Sequence, residues 1–166
     1  MANEIRNLNL MKLKALLDYI NNIYSGKFDN VELCIEHGRT RYRYVHDDVL
    51  DEILAPEIVI GAAASTEFDD FIIKYYNEEF DLNLENTPEI RLIQELCHEC
   101  GHHYNMDYYK NREEEYFKQL QFIYEQNLED DEHRKAYRKI DEEYDADTFA
   151  ANIIKEHLPA MIELLK

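Results

Sequence analysis

Apolar residues recur at helical spacing near the start of the chain, at Leu10, Leu13, Leu16, Leu17, Ile20 and Tyr24, and Gly26 follows as a stop. This pattern predicts a leading helix over about residues 8–24. Val31–His37 and Thr40–Tyr44 alternate imperfectly and flank Gly38-Arg39, which predicts two strands of a hairpin. Glu57–Gly61 carries the unbroken run Ile58-Val59-Ile60 and predicts a third, more buried strand. Ser65 or Thr66 is placed to cap a helix running to about Phe80.

The clearest helix start comes later. Thr87 sits at a cap position, Pro88 at the first helical position and Glu89 in the first turn. That helix is expected to reach about His103. Tyr116, Phe117, Leu120, Ile123 and Tyr124 form another helical stripe, and one long helix is expected over about 130–156, opening on acidic residues. Strands early and helices late define an α+β domain. Its expected parts are a leading helix, a small three-stranded sheet and a helical C-terminal half. No repeat or Pro/Gly/Ser linker divides residues 1–166, so a single domain is expected.

Composition narrows the classes of function. The 166 residues are 45% apolar, enough for a core, and carry 36 acidic against 18 basic residues, a formal net charge of -18. Such a surface repels phosphate backbones, so direct nucleic-acid binding is disfavoured and a basic partner favoured. Acidity that serves solubility alone explains the charge equally well. The polar N-terminus and the interrupted apolar stretch after it offer no export or membrane segment, so a cytoplasmic protein is expected. An odd cysteine count (Cys34, Cys97, Cys100) then fits reduced thiols.

The chemistry concentrates in His98-Glu99-Cys100-Gly101-His102. Residues four apart on a helix project about 40° apart, so His98 and His102 can reach one ion from the same side. Neutral imidazoles suit Zn2+, which takes three protein ligands in a catalytic site. Glu99 flanks the pair and can shuttle a proton between an attacking water and a leaving amine. The motif alone also describes two exposed histidines on a helix. Against that stand the preceding Ile90, Leu92, Ile93 and Leu96, which anchor this helix in a core. Gly101 lowers helix stability by roughly 1 kcal/mol relative to alanine, which points to a second backbone passing close by.

Glu143 and Asp147 are again four apart, beside Ala146 and Ala150, whose small side chains permit a close helix approach. Glu143 is assigned as third ligand and Asp147 as acceptor of a ligand histidine's spare N–H. Glu142 and Asp147 stay open as alternative ligands, and a solvated acidic face is the bland alternative for the whole set.

Cys97-His98-Glu99-Cys100 is also a Cys-x-x-Cys, the signature of redox chemistry or a thiolate zinc site. On a helix, Cys97 and Cys100 lie roughly 100° and 200° from His98 and point away from the histidine face. Both are read as buried packing. His37, His46, His103, His133 and His157 lack paired spacing and are read as surface residues. Tyr104, Tyr108 and Tyr109 follow the motif, and none is assigned a role.

The two segments His98–His102 and Glu143–Ala151 (Glu-Tyr-Asp-Ala-Asp-Thr-Phe-Ala-Ala) together resemble the ImmA/IrrE-type metallopeptidases. These are small gluzincin-like domains common in bacteria and phages, with the pattern His-Glu-x-Gly-His followed by Glu-x-x-Ala-Asp/Asn-x-Phe-Ala. Cys100 fills the free position before Gly101. The resemblance covers about residues 88–103 and 140–155 and is only architectural elsewhere. It implies a zincin-like fold, zinc held by His98, His102 and a downstream acid, and Glu99 as general base. It also implies limited cleavage of a regulatory, often basic, repressor-like protein. The chain departs from the pattern over about 107–140, a longer and more charged stretch expected to form an inserted helical arm. No helix-turn-helix unit is recognisable in the sequence.

The leading expectation is therefore a zinc-dependent endopeptidase of narrow specificity. The alternative is an acidic, non-catalytic interaction or inhibitor protein that keeps a zincin-like shape and binds a basic partner or imitates nucleic acid. A cysteine-based redox protein is the third expectation.

Overall fold

A computed structural model describes residues 2–36, 40–47, 52–61 and 70–166. Their element order is α1 (Ala2–Ile23), β1 (Glu32–Glu36), β2 (Arg41–Asp47), β3 (Glu52–Gly61), α2 (Phe71–Glu79), α3 (Pro88–Tyr109), α4 (Glu113–Glu125), α5 (Asp130–Tyr137) and α6 (Asp141–Leu164). The architecture is α+β and mostly helical: six helices and one three-stranded mixed sheet among the described residues.

Leu13, Leu16, Leu17 and Ile20 fuse into one apolar stripe of α1 that the rest of the core covers. The helix ends where Ser25 turns left-handed (φ 54°) and Gly26 follows at φ 84°, its N–H returning to the Asn21 carbonyl at 3.0 Å. This six-to-one bond satisfies a terminal carbonyl, and Gly26 accepts the conformation without a Cβ penalty.

The sheet departs from the expected hairpin. Its order is β1-β3-β2, with β1 parallel and β2 antiparallel to β3. The most apolar strand takes the centre because only there are both neighbours and a covering layer available: Ile58, Val59 and Ile60 are all buried. Pro56 lies beyond the last β1 partner, Glu57, where β3 has a neighbour on one side only. Leu33, Ile35, Tyr42, Ile58 and Ile60 share the face that meets the helical core. On the opposite face Arg43 pairs directly with Glu57 (2.6 Å) and reaches Glu36 (2.7 Å), closing the two flanking strands over the central one. The expected turn at Gly38-Arg39 and the cap at Ser65 or Thr66 lie outside the described residues; α2 itself runs from Phe71.

Thr87 does cap α3, its hydroxyl accepting from the Ile90 N–H at 3.3 Å, with Pro88 in the first turn. The helix continues six residues past the expected end, to Tyr109. The expected single helix over 130–156 is instead two, α5 and α6, joined through Arg138, Lys139 and Ile140. No Gly or Pro marks the break. Ile140 turns extended (φ -59°, ψ 133°) and drops its side chain into the interior at 1% exposure. The acids Asp141, Glu142 and Glu143 then open α6, as Glu113–Glu115 open α4 and Asp130–Glu132 open α5.

Candidate metal centre

The centre lies where α3 packs along α6, the most extensive contact between any two elements. A Cβ on Gly101 would meet the Ala146 Cα and carbonyl oxygen at 2.7 Å each. The glycine is thus required by a second backbone, and Ala146 and Ala150, both fully buried, keep that seam thin. Side chains that start on the two helices at this separation meet directly.

His98 and His102 project from α3 with their Nε2 atoms 3.1 Å apart. Glu143 of α6 brings Oε2 to 3.4 Å from His98 Nε2 and 3.8 Å from His102 Nε2. The three form a group able to hold a metal ion, every donor atom within 4.8 Å of the others. Two nitrogens and an oxygen bound tetrahedrally at about 2.0–2.2 Å sit about 3.3–3.6 Å from one another. The three separations bracket that range, so the donors are spaced to share one small divalent cation.

Asp147 stands behind His98, with Oδ1 2.8 Å from His98 Nδ1. His98 therefore donates from Nδ1 and points Nε2 toward His102 and Glu143. Tyr76 of α2 holds the same carboxylate oxygen at 2.6 Å and is itself steadied by Gln94 at 3.2 Å. Glu142, the alternative ligand, stays at the rim: its Oε1 lies 3.6 Å from His102 Nδ1, on the far side of that ring from the group.

Electrostatics follow the geometry. Burial pulls the His98 pKa down, but Asp147 and Glu143 outweigh it and hold the imidazole up at about 9. Burial would raise the Glu143 carboxyl; His98 and His102 win and hold it at about 2. Glu99 is different. It is 6% exposed, burial raises its carboxyl above the usual range, and the nearby His98 and His102 only partly offset this. A raised carboxyl beside a convergent donor group is suited to taking and returning a proton.

A cleft of about 320 Å³ opens over the group. His98, Glu99 and His102 form its floor, and Tyr116 of α4 and Tyr137 of α5 also line it. Its remaining wall includes Arg41 and Tyr42 of β2, an edge strand of the sheet. β2 and the residue before it are tied to α3: Thr40 Oγ1 donates to Glu95 at 2.8 Å, and the Tyr42 hydroxyl meets His103 Nδ1 at 2.9 Å.

The residues singled out in the sequence, His98, Glu99, His102, Glu143 and Asp147, thus converge. Tyr76, Tyr137 and Arg138 were not anticipated. Tyr137 donates to Glu143 Oε1 at 2.8 Å, and Arg138 Nη1 lies 3.1 Å from Asp147 Oδ1. The only signal for the latter two was the acidic triplet at 141–143, which marks a new helix start just after them. His103 is buried rather than at the surface, its Nε2 3.2 Å from the Lys27 carbonyl, and His133 and His157 are half-buried. His37 and the His46 side chain lie outside the described set. Cys97 and Cys100 are free and fully buried, as packing requires, and burial pushes the Cys97 thiol up to about 12. Tyr109 turns aside to Asp145, and Tyr104 packs on Phe149.

A second set of donors, Cys34, Glu36 and Glu57, gathers on the outer face of the sheet. Its carboxylates are already occupied: Arg41 reaches Glu36 at 2.5 Å, and Arg43 reaches both acids.

Comparison of the chain with protein-family models, with curated proteins and with solved structures finds no match. Among the described residues, no helix is long and apolar enough to cross a membrane.

Proposed function

We propose that the protein is a zinc-dependent endopeptidase of narrow specificity, acting on a basic regulatory protein. The observation that carries this reading is the convergence of His98 Nε2, His102 Nε2 and Glu143 Oε2 beside the raised, buried carboxyl of Glu99. The resemblance of both motif segments to the ImmA/IrrE-type metallopeptidases adds to it. His98, His102 and Glu143 would hold a zinc ion, which would supply Lewis-acid polarisation of a peptide carbonyl and a more acidic water. Glu99 takes the proton of the attacking water and delivers it to the leaving amine. Asp147 keeps His98 in the tautomer that offers Nε2. Arg41 and Tyr42 of β2 line the cleft that an extended peptide would enter. The net charge of -18 favours a basic segment there.

The test is cleavage of a library of basic peptides by zinc-loaded wild type and Glu99→Gln. Wild type should cut at a restricted set of sites, and the variant should be about 10²–10⁴ slower with its zinc retained. Equal behaviour of the two, with peptide bound and never cut, would instead establish the acidic binding protein.

A further inference from the structure

The turn between α5 and α6 grips two of the carboxylates that face the imidazoles, Glu143 and Asp147. Tyr137 and Arg138 are adjacent in sequence, whereas Glu143 and Asp147 are one helical turn apart on α6. Each of the first pair takes one of the second. The Tyr137 hydroxyl donates to Glu143 Oε1, leaving Oε2 as the oxygen that faces His98 and His102. The Tyr116 hydroxyl, from α4, lies 3.3 Å from that of Tyr137 and donates to it. Arg138 Nη1 meets Asp147 Oδ1, the same oxygen that accepts from His98, and stands 3.5 Å from both ring nitrogens of His98.

We propose that Tyr137 and Arg138 are positioning residues of the metal site that act on its affinity in opposite directions, Tyr137 raising it and Arg138 lowering it. The proposal rests on His98, His102 and Glu143 holding a divalent cation.

Tyr137 acts through Glu143. A carboxylate with one oxygen pinned presents the other in a fixed direction, and less freedom is lost when that oxygen takes a ligand. Without the hydroxyl, Oε1 would lose its partner inside a site where Glu143 is 6% exposed. Arg138 acts through Asp147 and through its charge. It shares the oxygen that accepts the His98 N–H and so draws on the negative charge of Asp147 that would otherwise act on the site. Its guanidinium also places a positive charge beside the donors of a dication. The chain retains this cation because Asp147 is fully buried, and a buried carboxylate without a counter-charge is costly. A turn that supplied only rigidity would lower affinity when either residue was changed. Opposite signs separate the proposal from that alternative.

The test is zinc affinity of the full chain, measured by competition with a chromogenic chelator at one pH, with folding checked by circular dichroism. Tyr137→Phe should bind zinc about 10–100-fold more weakly than wild type. Arg138→Gln should bind roughly three- to tenfold more tightly, and Arg138→Lys, which keeps the charge, should stay near wild type. If Arg138→Gln does not fold, the comparison moves to Asp147→Asn: adding Arg138→Gln to it must still tighten binding. An unchanged Tyr137→Phe, or weaker binding in every Arg138 variant, overturns the proposal while the metal site stands. Failure of wild type to bind zinc removes the site itself, and the proposal with it.

Discussion

Among the described residues, two clusters of metal-capable donors sit on opposite sides of the sheet, and their surroundings differ more than their donors do. On the outer face, Arg41 and Arg43 occupy Glu36 and Glu57, and burial with the Glu57 carboxylate pushes the Cys34 thiol up to about 12. A cation entering there would have to displace two guanidiniums and a tightly held proton. At the α3–α6 seam the donors turn toward each other, and their outward atoms are held by Asp147 and Tyr137. Proximity of acids and histidines is common. What distinguishes a site is that its neighbours orient the donors instead of neutralising them.

The first way to break this contrast is to open the seam. Gly101→Ala places a Cβ 2.7 Å from the Ala146 backbone, which cannot yield as a side chain would. It should destabilise the fold by about 1–3 kcal/mol in denaturant unfolding. It should also weaken zinc binding, because α3 and α6 carry the donors from opposite sides. A smaller effect sharpens the contrast from the other side. Glu57→Gln removes a donor of the outer cluster and one arm of the Arg43 pair, and should leave zinc content unchanged. Zinc lost in that variant would assign the outer cluster a metal of its own.

The seam was legible in the sequence because its signals are local and mutually consistent. A four-residue histidine spacing, a glycine inside an otherwise apolar helix and small residues beside two acids all describe one close helix crossing. The structure supplies the partner backbone that Gly101 implied. The sheet order was less legible, since β1 and β2 are close in sequence and the pattern does not state that β3 passes between them. The unbroken apolar run of β3 held the clue, because a strand buried on both faces belongs at the centre.

The turn at 137–140 was hidden for a different reason. Helix breaks announce themselves through Gly or Pro, and here the break is made by burying Ile140 while a fresh acidic triplet starts α6. Tyr137 and Arg138 gain their roles only from that tertiary choice. Tyr76 is similar: nothing in its spacing distinguishes it from neighbouring aromatic residues until α2 sets it against Asp147.

Elemental analysis of protein purified without chelator, for wild type, His98→Ala and Glu143→Ala, tests the central claim most directly. About one zinc per chain in wild type, lost in both variants, is the result that three convergent ligands require. No zinc in wild type even after its addition, or zinc retained in both variants, would contradict it.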